Sequence, residues 1–260
     1  MSTLVLKVGG RVGGADGALA ALPGLLAGSA GRPPHEVCIV HGGGPEVTRM
    51  MERLALPVRF KDGLRVTDEA ALEVAIMALR GSVSAALVRE LAALGVRAVG
   101  LSGLDGGLVR ARPHPDADLG AVGEVDAVQP DLLRAILGLG MVPLVAPLAL
   151  DAAGAVRNIN ADTLCGAIAG ALGADLAVFL TDVPGVLDAH GQVIARLRPA
   201  TVERLIAEGQ IRGGMIPKVR ACLAALAHGA RAVCIADGRA RAVLPSLLDA
   251  VPGVGTIIEE

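Results

Sequence analysis

Short runs of β-branched and aliphatic residues alternate with helical segments along the whole chain, and glycine-rich polar loops join them. No other feature restricts the fold as much. Residues 4–6, 37–40, 96–101, 142–145, 175–180 and 232–235 read as strands, and 255–258 as a last strand at a sheet edge. Residues 18–26, a stretch from Pro45 through Met51, 83–94, 131–137, 201–208 and a long stretch from Lys218 to Ala227 carry helical spacing. A further helix starts at Thr67-Asp68-Glu69. Residues 57–66 read as a hairpin around Lys61-Asp62-Gly63, and 119–127 as a short second one. Strands that alternate with helices give an α/β protein whose largely parallel central sheet is covered on both faces. A soft boundary at residues 147–151 divides the chain into two lobes.

Composition decides what fills the core. Hydrophobic residues make up 53% of the 260, yet there are two Phe, no Tyr and no Trp, so Ala, Val and Leu must do the packing. The net charge of −2 and the missing stacking aromatics exclude nucleic acid as a partner. The longest apolar run, residues 135–150, is shorter than the roughly 20 residues of a spanning helix, so no membrane association is expected. Lys7 lies inside the first apolar run with no basic segment before it, which is unlike a signal peptide. Cys38, Cys165, Cys222 and Cys234 have no C-x-x-C spacing and sit in apolar stretches, as small core residues of a reducing, cytoplasmic compartment do. The five His are scattered and form no metal-ligand pattern.

Of the 24 basic residues only three are Lys. Where Arg is the default, a Lys marks a place where a compact ammonium is wanted and a guanidinium fork does not fit, or it marks nothing beyond composition. Lys7 ends a strand beside Gly9-Gly10, Lys218 opens a helix after Gly213-Gly214, and Lys61 reads as a solvated surface residue. His41-Gly42-Gly43-Gly44-Pro45 lies between a strand and a helix. It is either a tight turn or a place where backbone approaches a ligand closely. His41 itself reads as structural. Arg65 lies at a strand–helix junction and is either a surface residue or a bidentate carboxylate clamp. The stretch Asn158-Ile159-Asn160-Ala161-Asp162 precedes an Ala/Gly-rich helix ending at Gly173, so Asn160 or Asp162 caps it. Three polar groups in five residues exceed what a cap requires. Strand-to-helix junctions of this kind are where open α/β sheets bind ligands, and Asp162 is the candidate acidic organiser of a phosphate site.

The loops form an ordered set: KVGG at 7–10, HGGG at 41–44, GLRVTDE at 63–69, LSGLDGG at 101–107, NINAD at 158–162, TDVPGVLD at 181–188 and GGMIPKV at 213–219. In this order and over nearly the whole chain, they resemble the motifs of the amino acid kinase family. The resemblance implies an open three-layer αβα sandwich with a mainly parallel central sheet. Residues 1–260 would form one domain, with 1–150 as an N-terminal lobe for an acyl-amino acid and 151–260 as a C-terminal lobe for ATP.

It further implies that Lys7 and Lys218 neutralise a transferring phosphoryl group and that Asp162 positions them. Gly43 and Gly44 would cradle the substrate with backbone donors, Arg65 would clamp its carboxylate, and Asn158 would hydrogen-bond to it. Gly9 and Gly10 would lie beneath the phosphates. Asp182, Val183, Gly185, Leu187, Gln210, Ile211 and Arg212 would hold the nucleotide. The implied reaction is ATP-dependent phosphorylation of the side-chain carboxylate of N-acetyl-L-glutamate to N-acetyl-L-glutamyl 5-phosphate, in arginine biosynthesis, with Mg²⁺ carried mainly by the nucleotide phosphates. A carrier-protein-linked aminoadipate or glutamate kinase, and a non-catalytic binding protein on the same fold, are the alternatives. With the first strand reached by Leu4, the resemblance implies a homodimer insensitive to arginine. Ser84 and Ala85 stand where the family commonly has Asn-Lys, and Arg11 where it has a small residue.

Overall fold

Alternation along the first strand sets the layers. In the computed structural model, which describes residues 2–9, 17–28, 34–213 and 215–259, Leu4, Leu6 and Val8 bury into one apolar cluster with Leu22, Leu87 and Leu91. Val5, one step out of phase, buries into another with Cys38, Ile168, Val219 and Cys222. Successive side chains point to opposite faces of a strand, so these clusters are the two interlayer cores of a sandwich. Gly10, Arg11 and Gly214 lie outside the described residues.

The strands are β1 (Thr3–Val8), β2 (Glu36–His41), β3 (Phe60–Lys61), β4 (Leu64–Arg65), β5 (Ala98–Ser102), β6 (Val109–Pro113) and β7 (Val122–Val128). They continue as β8 (Val142–Ala146), β9 (Leu148–Asp151), β10 (Val156–Ile159), β11 (Leu176–Thr181), β12 (Arg196–Leu197), β13 (Ala232–Asp237) and β14 (Thr256–Glu259). The α-helices are α1 (Leu22–Ala27), α2 (Gly44–Arg53), α3 (Glu69–Ile76), α4 (Ser84–Ala93) and α5 (Asp131–Gly138). After them come α6 (Ala161–Leu172), α7 (Pro199–Ala207), α8 (Met215–Ala227) and α9 (Val243–Leu248).

Eight strands form the central sheet in the order β12-β14-β13-β11-β1-β2-β8-β5. Its pairings are parallel except β13 with β14. Four more strands close a small barrel in the order β10-β7-β6-β9, and β3-β4 is a separate hairpin. The α/β class and the mainly parallel sheet expected from sequence are therefore present.

Several local readings differ. The two helices expected after Thr67 are one continuous rod, Glu69–Ala93, because residues Met77–Val83 wind as a π-helix through Gly81 rather than breaking. That rod is long and apolar enough to cross a membrane by length and composition alone. Its α4 end buries Leu87 and Leu91 in the core of the sandwich. The hairpin expected at 119–127 is instead one strand, β7, whose antiparallel partner β6 was not anticipated. Nor were β9 and β10. β14 is not at the edge, since the two-residue β12 pairs outside it.

On one face, α6 packs directly on α8. Small residues permit this approach: a Cβ at Gly166 would come within 3.0 Å of the Ala225 Cα. Ser84, the small replacement noted above, is buried on α4. Its Oγ would be 2.6 Å from a Cβ at Gly100 on β5, so a larger residue at position 84 would separate helix from sheet.

Candidate active site

Register brings the first lysine to the acid. Lys7 has the same parity as Val5 and so faces the layer of α6 and α8. Its Nζ lies 2.9 Å from Asp162 Oδ1, with only 15% of the Lys7 side chain and 21% of the Asp162 side chain exposed. Asp162 sits in the first turn of α6, where a carboxylate is favoured by the helix dipole. It is free to do so because Asn160 is the cap. The Asn160 Oδ1 accepts hydrogen bonds from the Asp162 and Thr163 amides at 2.8 and 3.1 Å. The two polar residues of this stretch thus divide the work: one holds the helix end, the other holds an ammonium.

Gly9 follows β1 immediately, and a Cβ there would lie 3.6 Å from Lys7 Nζ. Lys218 is partly buried in the first turns of α8. Among the described residues it makes no ion pair, and Asp162 reaches Lys7 rather than Lys218. The Lys218 charge is felt at Asp182, at the end of β11. There the carboxyl is held below its usual range, first by its own backbone amide, then by the Thr181 hydroxyl, and to a smaller degree by Lys218 and Arg239. Lys7 and Gly9 thus lie at the carboxyl end of β1, and the Lys218 charge is felt at the carboxyl end of β11.

To one side lies a cavity of about 260 Å³ lined by Val183, Gly185, Leu187, Gln210, Ile211 and Arg212. These are the nucleotide residues expected from sequence, brought together from two loops. Asp182 does not line it and stands toward Lys218.

To the other side is a pocket of about 210 Å³ whose wall includes Gly43, Gly44, Phe60, Arg65, Leu79 and Asn158. Arg65 is 8% exposed. Its guanidinium donates to the Gly44 carbonyl at 3.0 Å and the Thr48 hydroxyl at 2.6 Å. It also contacts Met51 Sδ at 3.4 Å and lies 4.8 Å from the centre of the Phe60 ring. No carboxylate partners it among the described residues, and burial lowers its pKa. A buried cation without a counter-ion is costly unless an anion arrives. Beside it, the Gly43 and Gly44 amides have no acceptor among the described residues. Gly43 has no room for a side chain, since a Cβ would come within 2.5 Å of Leu79 Cδ2.

The sequence reading passed over Thr67. It is fully buried, donates its hydroxyl to the Arg65 carbonyl at 2.8 Å, and accepts from Asn158 Nδ2 at 3.2 Å. Its backbone also bonds Leu119 and Ala121. One hydroxyl thereby ties the guanidinium, the amide and the small barrel together. Phe60 was missed as well, although one of only two Phe beside a candidate clamp was a usable signal. Lys61 is half-buried and pairs with Asp116 and Asp118 at 2.7 Å each, far from this chemistry in kind.

A mainly parallel sheet with one lysine near the end of β1, a second on α8, a guanidinium from the β3–β4 hairpin without a carboxylate partner among the described residues, and two unfilled backbone amides defines an α/β protein with two pockets lined by cationic and donor groups. Comparison with known proteins narrows the class. The amino acid kinase family profile matches residues 2–237. An acetylglutamate kinase of Acidiphilium cryptum is 46% identical over 232 residues, covering 85% of this chain and 78% of that one. An acetylglutamate kinase of Gluconobacter oxydans is 43% identical over 272 residues, covering 99% and 91%. The crystal structure of smu.665 from Streptococcus mutans UA159 superposes with a TM-score of 0.82 at 30% identity, covering 99% and 98%. The chain belongs to the amino acid kinase family.

Proposed function

We propose that this chain is a kinase that transfers the γ-phosphoryl group of ATP to the side-chain carboxylate of N-acetyl-L-glutamate, giving N-acetyl-L-glutamyl 5-phosphate and ADP in arginine biosynthesis. The observation that carries the reading is the buried, unpaired Arg65 beside the free Gly43 and Gly44 amides. This is a receptor for a small dianion, and it adjoins the lysines. Curated relatives named acetylglutamate kinase, at 43–47% identity, support the same substrate.

In this reading the α-carboxylate of the substrate takes the place Arg65 leaves open, and Asn158, held by Thr67, hydrogen-bonds to it. Gly43 and Gly44 donate to the acceptor end. A side-chain carboxylate oxygen attacks the γ-phosphorus, and the electron pair of the breaking bond goes to the β–γ bridging oxygen of ADP. No proton moves, so no general base is required. Charge is the obstacle. Lys7, oriented by Asp162, and Lys218 offset the repulsion between carboxylate and triphosphate. Mg²⁺ entering on the nucleotide phosphates would supply further charge neutralisation there.

Val183, Gly185, Leu187, Gln210, Ile211 and Arg212 receive the nucleotide. Residues 151–260 then form the ATP lobe and residues 1–150 the acyl-amino acid lobe, with Asn158 reaching across. Four free, buried cysteines suit a reducing cytoplasm. We also take the protein to be a homodimer. Exposed Met77, Gly81 and Ala85 follow one line of the rod at four-residue spacing, a surface a second copy would cover.

Hydroxylamine trapping of the acyl phosphate tests the reaction, with N-acetylglutamate, glutamate, aspartate and N-acetylaspartate as acceptors. ATP-dependent hydroxamate is expected with N-acetylglutamate above all. Product only from unacetylated acceptors would sink the assignment, and no product from any free amino acid would point to a carrier-linked acceptor or to binding alone.

A further inference from the structure

His41 ends β2, one residue before the Gly42 that lines the acceptor pocket, and it has no exposed surface. Its Nδ1 lies 2.8 Å from the Gly42 carbonyl oxygen. A carbonyl only accepts, so Nδ1 carries the hydrogen, and Nε2 is then the unprotonated nitrogen. That buried Nε2 has no hydrogen-bond partner among the described residues. Burial also pulls the ring pKa down, which keeps the imidazole neutral. An orphaned buried nitrogen is a standing cost, and an aliphatic residue at this position would avoid it. The histidine therefore contributes something that its apolar replacement lacks: the Nδ1–H.

What that hydrogen holds is the Gly42–Gly43 peptide. The Gly42 amide is already fixed to the Val8 carbonyl at 2.8 Å, and the Gly43 carbonyl accepts from the Val47 amide at 3.0 Å in the first turn of α2. The peptide between them would otherwise be free to rotate, since Gly42 and Gly43 offer the backbone its widest conformational range. In a planar trans peptide the C=O and N–H point in opposite directions. Pinning the Gly42 oxygen toward His41 on one side turns the Gly43 N–H to the other, where it has no acceptor among the described residues.

We propose that His41 is a positioning residue, whose Nδ1–H locks the Gly42–Gly43 peptide so that the Gly43 amide stays aimed at the acceptor carboxylate. This rests on the acceptor assignment made above. A donor aimed before the substrate arrives costs no reorganisation during the reaction.

Three substitutions separate this from a filler role. His41→Asn places an amide N–H close to the position of Nδ1. His41→Gln moves the N–H outward to about the position of Nε2. His41→Leu fills space with no donor. For Leu and Gln, kcat/KM for N-acetylglutamate should fall about tenfold or more, as when an oxyanion donor is misaimed, with KM for ATP little changed. Asn should recover most of the loss. The thermal midpoint of the Leu variant should hold or rise, because the orphaned nitrogen is gone. If Leu fails to fold, Gln against Asn makes the same comparison.

Hydrogen exchange and the ¹⁵N chemical shift of the Gly43 amide, measured without substrate, give a readout independent of turnover. They should shift in Gln and Leu and stay in Asn. Turnover intact with an unmoved Gly43 amide in every variant would overturn the role of His41 alone. A Gly43 amide that follows the donor in a protein that phosphorylates none of the carboxylates would overturn the acceptor assignment and leave the positioning role standing. Asn as impaired as Leu, with both KM values raised together, would mean that His41 only packs.

Discussion

Lys218 and Lys61 have the same charge and opposite surroundings. Lys61 is shared by two surface carboxylates, where a guanidinium would serve as well. Lys218 has no partner among the described residues and lies where its charge reaches Asp182. Lys218→Arg should lower kcat about 10²-fold by displacing the reacting group about 1 Å, with both KM values changing much less. Lys61→Arg should stay within about threefold, under 1 kcal/mol of barrier. Equal effects at the two sites would mean that the scarcity of Lys is compositional. Arg65→Ala removes the guanidinium that now bonds Gly44 and Thr48. It should raise KM for the acceptor about tenfold to a hundredfold, as expected for a lost charge-assisted pair, and leave KM for ATP nearly unchanged. Parallel increases in both would assign Arg65 to structure.

At the scale of elements, α6 depends on its cap and on its contact with α8. Asn160→Ala leaves the Asp162 and Thr163 amides without their acceptor and should cost about 1 kcal/mol. Because the cap also fixes the turn bearing Asp162, kcat should fall with stability; denaturant unfolding together with kinetics reads both. The barrel turns on Asp151, which accepts from the Ala153 and Ala155 amides at 2.9 Å and pairs with Arg157 at 2.7 Å. These bonds, Arg157 first, hold its carboxyl below the usual range. A depressed carboxylate stabilises above its unfolded pKa and loses that contribution as pH falls through its folded value. Asp151→Asn should therefore be less stable than the parent near neutrality, and the gap should narrow on acidification. A constant gap across pH would exclude this ion pair as the cause.

The elements that could be read from sequence are those with unbroken apolar runs. β1, β2, β8, β11 and β13 are buried on both faces and announce themselves by composition alone. β6 reads Val-Arg-Ala-Arg-Pro, alternating buried and exposed, a legible period of two that its charge obscured. β9 and β10 are four residues each, too short to show a period, and only barrel closure makes them strands. The gap left between the helix starting at Thr67 and the one at 83–94 contains Gly81, a poor helix former, but there the turns simply widened.

Across the whole molecule, strands from both halves of the chain share one sheet, for β1 pairs with β11 on one side and β2 on the other. The two pockets are thus joined through continuous strand hydrogen bonding, and the lysine between them is itself a sheet residue. Sequence reading could group residues by loop, and the structure brings six of the seven residues expected from the two nucleotide loops to one cavity and Lys7 to Asp162. Sequence reading could not show that Asp162 holds one lysine rather than both, because that depends on the relative height of α6 and α8 above the sheet. Assembly belongs to this scale as well. Light scattering should give twice the chain's mass, and Met77→Glu, placed at a residue 48% exposed on the rod, should halve it. An unchanged mass in the variant would move the interface elsewhere.

The aromatic poverty of the core has an optical consequence. With no Trp and no Tyr, the protein is nearly dark at the wavelengths where proteins normally absorb and emit. Phe60 stands over the Arg65 guanidinium at the mouth of the acceptor pocket, 58% exposed. Phe60→Trp would therefore install a single fluorophore on a silent background, stacked on the cation that the acceptor is meant to engage. Titrating N-acetylglutamate into that variant should change its emission as the guanidinium is drawn toward the ligand, so that occupancy is read directly, without turnover and without a label.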